Sequence, residues 1–379
     1  MPFFGAQGII NRIRSSVYIK VSWRCANRTR RMIQLFGRVG WALSNGDSMK
    51  TFKNILLTGV AFLGLVQGAV HGADFPNKDK QITLIVPFAA GGPTDRVARD
   101  LSEALRKSLG VPVVVENDAG GPGGLIGASK LVRSAPDGYT LLVHHIAMGI
   151  FPSLVKNLPF KIDTDFEYLG MINDVPMTLI GKPQLPANNY KELKAWVTQN
   201  KGQVNLANAG LASASQLCGM LWQATIQVEL ATVPYKGTAP AMTDLIGGQV
   251  DLMCDQTTST TSQIEAKKVK AFGVTTLKRL TTPGLKDLAT LDEQGEKGFN
   301  VTIWHGLYGP KGMPADVALK INAALKASLK DPEFVKKQEG LGAVVISDKR
   351  SEPAEHKRFV LSEVARWSPV IKGAAVYAD

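Results

Sequence analysis

Gln81-Ile-Thr-Leu-Ile-Val-Pro-Phe-Ala-Ala-Gly-Gly-Pro-Thr-Asp95 is the stretch on which the fold turns. The run Gln81 to Val86 is β-rich, Pro87 to Pro93 is a turn of small residues, and from Thr94 to Leu109 the apolar residues Val97, Leu101 and Leu105 recur at helical spacing. The order is strand, loop, helix.

Outward from there the order repeats. Val111 to Val115 predicts a second strand, Leu125 to Ser134 a helix and Asp137 to Val143 a third strand. The middle of the chain continues with strands at Met177 to Gly181, Val204 to Ala207, Ala231 to Val233, Val250 to Cys254 and Ala271 to Thr275. Helices are expected between them at Tyr190 to Gln199, Ser213 to Ala224 and Thr238 to Gly247. A strand at Ile303 to Gly309, a helix from Pro314 to Leu329 and an amphipathic helix from Pro353 to Ile371 close the chain. Alternation of this kind implies α/β architecture, with mostly parallel sheets flanked by helices. A length of 379 residues suits two such lobes better than one domain.

The formal charge of +12 invites a nucleic-acid partner, but its distribution argues against one. Residues 1–48 carry +7, Lys50 and Lys53 add two, and the remainder from Asp74 onward carries only +3, with no dense basic run. Lys50 and Lys53 precede the apolar stretch Ile55 to Val70 and the small-residue end Gly72-Ala73, the layout of a secretory signal peptide over 49–73. The 1–48 extension then reads as a mis-called start, with an organelle transit peptide as the competing view. Cys25 falls in that extension. Cys218 and Cys254 remain, without zinc-type spacing, which leaves one disulfide or two buried thiols.

In parallel α/β sheets ligands sit at the carboxyl ends of strands, beside helix N-termini. Three such junctions here are rich in small residues: Pro87 to Asp95, Asn205 to Ser215, and Pro234 to Thr238. Ordinary capping explains any one of them alone. Together, with Lys236 the only cation among them, they point to a carboxylate held mainly by amides and hydroxyls. Catalytic signatures are missing: there is no G-x-S-x-G elbow, no H-E-x-x-H and no phosphate-binding G-x-x-x-x-G-K-[ST]. Gly120-Gly-Pro-Gly-Gly124 fails the dinucleotide-loop spacing and reads as a packing turn. His144 and His145, adjacent on a strand, are badly placed to share a metal. Of the acids Asp251 and Asp255, one is expected to be structural and the other a polar group of the cleft.

The string Val86 to Asp95, joined with Val233-Pro-Tyr-Lys-Gly-Thr-Ala-Pro-Ala-Met-Thr-Asp-Leu-Ile-Gly-Gly-Gln-Val-Asp251, closely resembles the Bug-type solute receptors of tripartite tricarboxylate transporters. Asp137-Gly-Tyr-Thr-Leu-Leu, Trp304-His-Gly-Leu-Tyr-Gly-Pro and Trp367 with Pro369 strengthen the likeness, which covers residues 74–379. The resemblance implies a two-lobe periplasmic-binding-protein fold of the two-crossover kind with the ligand cleft between lobes. The first lobe is expected over 74–175 and 301–379 and the second over 176–300. It implies a periplasmic, monomeric receptor, not an enzyme, that needs no cofactor or metal and serves integral membrane transporter subunits. Its ligand would be a di- or tricarboxylate, an acidic amino acid or an aromatic acid. Phe88, Ala89, Ala90, Gly92, Thr94 and Asp95 match the family's carboxylate loop, and Ser213 with Tyr235, Lys236 and Gly237 match the facing lobe. Gly91, His145, Asn208 and Asp255 complete the candidate site. The chain departs from the family pattern at Leu206-Ala207-Asn208 and Gln216, which leaves the ligand open. The rival functions are a receptor that reports to a membrane signalling protein and a two-lobe enzyme using Lys236.

Overall fold

The computed structural model of the chain describes residues 75–373. The expected leader and signal segment, 1–73, lie outside them. Strand β1 (Ile82–Val86) is buried along nearly its whole length and pairs in parallel with β2 (Val113–Asn117) on one side and β3 (Thr140–His145) on the other. A strand covered on both faces has to be almost wholly apolar, as this one is. Helix α1 (Pro93–Leu109) follows the Pro87–Gly92 loop and buries Val97, Leu101 and Leu105. Proline suits its first turn, and Gly110, in the left-handed region at φ 71°, ends it by donating its N–H to the Arg106 carbonyl. Helices α2 (Leu125–Val132) and α3 (Ala147–Leu154) follow β2 and β3.

Strand β4 (Phe166–Gly181) joins the two lobes. Up to Pro176 it pairs antiparallel with β9 (Thr302–Pro310); from Met177 it pairs with β7 (Leu252–Gln256) and β8 (Lys270–Val274). The first sheet therefore runs β2-β1-β3-β9-β4, with the short β10 (Val344–Val345) also on β4. The second sheet runs from β4 through β7 and β5 (Asn205–Asn208) to β6 (Ala231–Pro234), with β5 parallel to both neighbours. Each sheet is thus parallel in its outer part and antiparallel where the chain crosses between lobes. Thr275, fully buried, binds both crossings: its hydroxyl donates to the Val301 carbonyl at 2.6 Å and accepts the Met177 N–H at 3.0 Å.

Helices α4 (Tyr190–Gln199), α5 (Ala214–Ile226), α6 (Thr238–Ile246) and α7 (Thr257–Glu265) belong to the middle of the chain. Helices α8 (Ala315–Ser328), α9 (Pro332–Gly340) and α10 (Pro353–Gly373) return to the first sheet. The sequence pattern does not show α3, α7, α9 or the first eleven residues of β4. Among the described residues no helix is long and apolar enough to cross a membrane.

Candidate functional site

Helices α1, α5, α6 and α7 bring their N-termini to one place. A cavity of about 30 Å³ is lined by Gly92, Pro93 and Thr94 of α1, by Ser213 and Ser215 of α5, by Gly237 and Thr238 of α6, and by Asp255 and Gln256 ahead of α7. Unpaired N–H groups and aligned peptide dipoles make each such end favourable for negative charge. Phe88, Ala89, Ala209, Ser213 and Gly237 also line an adjoining cavity of about 410 Å³, which extends over Gly120–Gly124 and Tyr235–Lys236. The lobes touch around it: a Cβ on Gly237 would lie 2.9 Å from that of Ala89, and the Gly123 N–H donates to the Leu211 carbonyl at 2.9 Å.

The small cavity is edged by buried polar atoms without protein partners. Asp255 is 1% exposed; one oxygen accepts its neighbour Gln256's N–H at 2.8 Å, and Oδ2 has no partner. Burial pushes its pKa up to about 6, against the lowering effect of the Thr238 hydroxyl and the Gln256 N–H. Gln256 Oε1, also on the small cavity, is likewise buried and unpartnered; so are Thr257 Oγ1, Thr258 Oγ1 and Asn208 Nδ2, which do not line it. Such groups are costly unless something completes them. His145 stacks on Phe88 with centroids 4.4 Å apart and is depressed to about 3 by burial; its Nδ1 accepts the Ala147 N–H, so the ring proton sits on Nε2.

The structure gathers most of the sequence candidates and separates a few. Phe88, Ala89, Gly92, Thr94, His145, Ser213, Gly237 and Asp255 edge the small cavity, and Tyr235 and Lys236 only the larger. Tyr235 donates its hydroxyl to Asp244 at 2.6 Å. Asn208 accepts the Gly210 N–H at 2.8 Å and so holds the β5–α5 turn, and Ser213 accepts the Gln216 N–H as the cap of α5. Ala90, Gly91 and Asp95 face a separate cavity of about 710 Å³. Asp95 is a brace for the loop: its carboxylate takes the Gly91 N–H, Arg99 Nε and Asn117 Nδ2, each within 2.9 Å, and despite its burial these partners hold its pKa below the usual range. Of the two acids four residues apart, Asp251 is tied to the Asn205 N–H and to Lys182, leaving Asp255 to the cavity.

Ser215 and Thr238 fall within two of the small-residue junctions without being singled out there, and sequence pattern undervalued the Gly120–Gly124 run. Those glycines form a wall of the larger cavity while also packing: a Cβ on Gly124 would meet the Pro87 carbonyl at 2.8 Å. Cys218 on α5 and Cys254 on β7 form a disulfide with Cα atoms 5.9 Å apart. Among the described residues no group of three or more His, Cys, Asp or Glu is placed to hold a metal ion.

A family model described as the tripartite tricarboxylate transporter family receptor matches residues 97–376. Among solved structures the chain is similar to the periplasmic binding protein BugD, at 48% identity and a TM-score of 0.76 over 80% of this chain and 100% of that one. It is similar to MatC of Rhodopseudomonas palustris, solved with bound malate, at 34% identity and a TM-score of 0.73 over 77% and 99%. A further R. palustris protein, Rpa4515, solved with adipate, is 30% identical with a TM-score of 0.74 over 80% and 99%.

Proposed function

The chain belongs to the receptor family of tripartite tricarboxylate transporters, whose members are solute receptors rather than enzymes, and from that premise we propose that its cleft closes on a small dicarboxylate and delivers it to membrane transporter subunits. The observation that carries this reading is the meeting of four helix N-termini around buried, unpartnered polar atoms between the two lobes. Candidate contact residues are Phe88, Ala89, Gly92, Thr94, His145, Ser213, Gly237 and Asp255, with Tyr235 and Lys236 at the wider mouth and Asn208 shaping the turn beside them. The malate and adipate held by similar structures support a dicarboxylate. The lobe limits 74–175 with 301–379, and 176–300, are supported by the change of strand partners at Pro176.

A ligand that binds only the folded state adds RT ln(1 + [L]/Kd), about 2.7 kcal/mol at a hundredfold excess over Kd, a melting shift on the order of 5 °C for a chain of this size. A thermal-shift screen of dicarboxylates, tricarboxylates, acidic amino acids and aromatic acids gives at least one such shift. A screen in which only cationic or uncharged solutes stabilise the protein refutes the reading. The Lys50, Lys53 and Ile55–Val70 arrangement supports export across the cytoplasmic membrane with cleavage near residue 73. N-terminal sequencing of exported protein starts at or near Asp74; recovery of any of residues 2–48 contradicts it.

A further inference from the structure

A chain of buried side chains leads from the small cavity to the surface of the first lobe. Thr94 Oγ1 lies 3.2 Å from His305 Nε2, and His305 Nδ1 lies 2.9 Å from Asn173 Oδ1. Asn173 Nδ2 donates to Gln338 Oε1 at 2.8 Å, and Gln338 Nε2 donates to Asp100 Oδ2 at 2.7 Å. Thr94 is 2% exposed, His305, Asn173 and Gln338 are fully buried, and Asp100 is 8% exposed. The five belong to α1, β9, β4, α9 and α1 again.

The direction of every bond follows from its outer end. Asp100 Oδ2 accepts from Arg96 Nε at 3.4 Å as well as from Gln338 Nε2, so the chain starts from an acceptor; burial raises its pKa, opposed by Arg96 and Lys337. Gln338 therefore presents its NH2 to Asp100 and its oxygen to Asn173. Asn173 spends its NH2 on that oxygen and offers its own oxygen to His305, whose Nδ1 must carry the proton. Burial keeps His305 neutral, so Nε2 is a bare acceptor. The Thr94 hydroxyl donates there, and its lone pairs are what remains for the cavity.

Across the same 30 Å³ cavity stand Asp255 Oδ2 and Gln256 Oε1, two further acceptors without a donor. That volume takes a group of about water size. Three such acceptors among four donor-rich helix ends call for a group that donates, next to one that accepts.

We propose that the Asp100–Gln338–Asn173–His305 chain fixes the Thr94 hydroxyl as an acceptor, so that with Asp255 it selects carboxylates bearing an adjacent hydroxyl or ammonium over the same acids without one. The inference rests on the carboxylate reading above. Thr94 and Asp255 touch the ligand, and His305, Asn173 and Gln338 are positioning residues.

Calorimetric titration of the purified protein with matched pairs tests it: succinate against L-malate and L-aspartate, and glutarate against L-glutamate. An acceptor left without its donor in a buried site costs roughly tenfold or more in affinity, so a donor-bearing acid of at least one pair binds at least tenfold tighter than its plain partner. Thr94→Val brings that pair close to parity, and Thr94→Ser keeps the preference. Parity in the unaltered protein, or an unchanged preference in Thr94→Val, overturns the inference and leaves the carboxylate reading standing. Binding of none of these five acids overturns the inference, and the wider screen with tricarboxylates and aromatic acids then decides the carboxylate reading. Independently of any variant, 15N NMR of histidine-labelled protein shows His305 as the neutral Nδ1–H tautomer. An Nε2–H tautomer or an imidazolium there overturns the relay.

Discussion

Asp255 is the residue whose surroundings make the sharpest claim about pH. Its folded pKa of about 6 stands above the usual 3.8, so between those values the folded chain keeps a proton that the unfolded chain has released. Stability therefore falls as pH rises from about 4 to about 6, and the full cost, about 3 kcal/mol, is present above that window. Asp255→Asn removes the titration, so without ligand it melts higher than the parent at pH 7.5, and the gap closes as pH falls to 4. Melting curves across that range decide the point; a gap that is constant or reversed disproves it. Asp255 was legible because Asp251 four residues earlier raised the question of which acid faces the cleft. The relay was not. Residues 94, 305, 173, 338 and 100 have no common spacing, and only the packing of β4, β9 and α9 against α1 makes them neighbours.

At the scale of elements, strand-loop-helix units announced themselves through apolar runs and small-residue turns, and β1, α1, α4 and α6 fall within a residue or so of the expected limits. β4 was legible only from Met177 on, because Pro176 breaks the pattern of a continuous strand. The proline sits where the pairing changes hands, opposite Thr302. Helix α7 was hidden by composition: Thr-Thr-Ser-Thr-Thr-Ser is poor helix-forming sequence, and its hydroxyls are satisfied at Thr260 and Thr261 by carbonyls one turn back. The disulfide joins α5 to β7 across a separation of 36 residues. A loop of that length confers about 4 kcal/mol in the chain-entropy account. Reduction should lower the melting temperature by on the order of 5–10 °C, and mass mapping of unfolded, unreduced protein should find neither Cys218 nor Cys254 free. Two alkylated thiols at these positions would contradict the bridge.

For the molecule as a whole, the approach of the lobes beside the cavity tolerates little at Gly237. Gly92, a candidate of the carboxylate loop, has an ordinary extended backbone, φ −82° and ψ 174°. A Cβ there meets the Ala89 carbonyl at 3.3 Å. Gly237 is the demanding position: its φ is +114°, and its Cβ would collide with that of Ala89 at 2.9 Å, lobe against lobe. A side chain there costs about 1–3 kcal/mol in backbone strain alone. Gly237→Ala should therefore weaken carboxylate binding by tenfold or more and leave the ligand-saturated protein with a larger radius of gyration in X-ray scattering, whereas Gly92→Ala should do neither. Equal effects of the two substitutions would show that closure does not turn on this contact.

The double crossing of the chain also sets a timetable. β9 lies between β3 and β4 in the first sheet, yet it is made only after all of β5 to β8. A ribosome must therefore finish the second sheet before the first can receive its inner strand, and until residue 302 has emerged β3 and β4 have no partner between them. Long-range pairings of this sort form slowly. The first sheet therefore stays open in the nascent chain until residues 302–310 arrive, and β9 is the latch that ends that period.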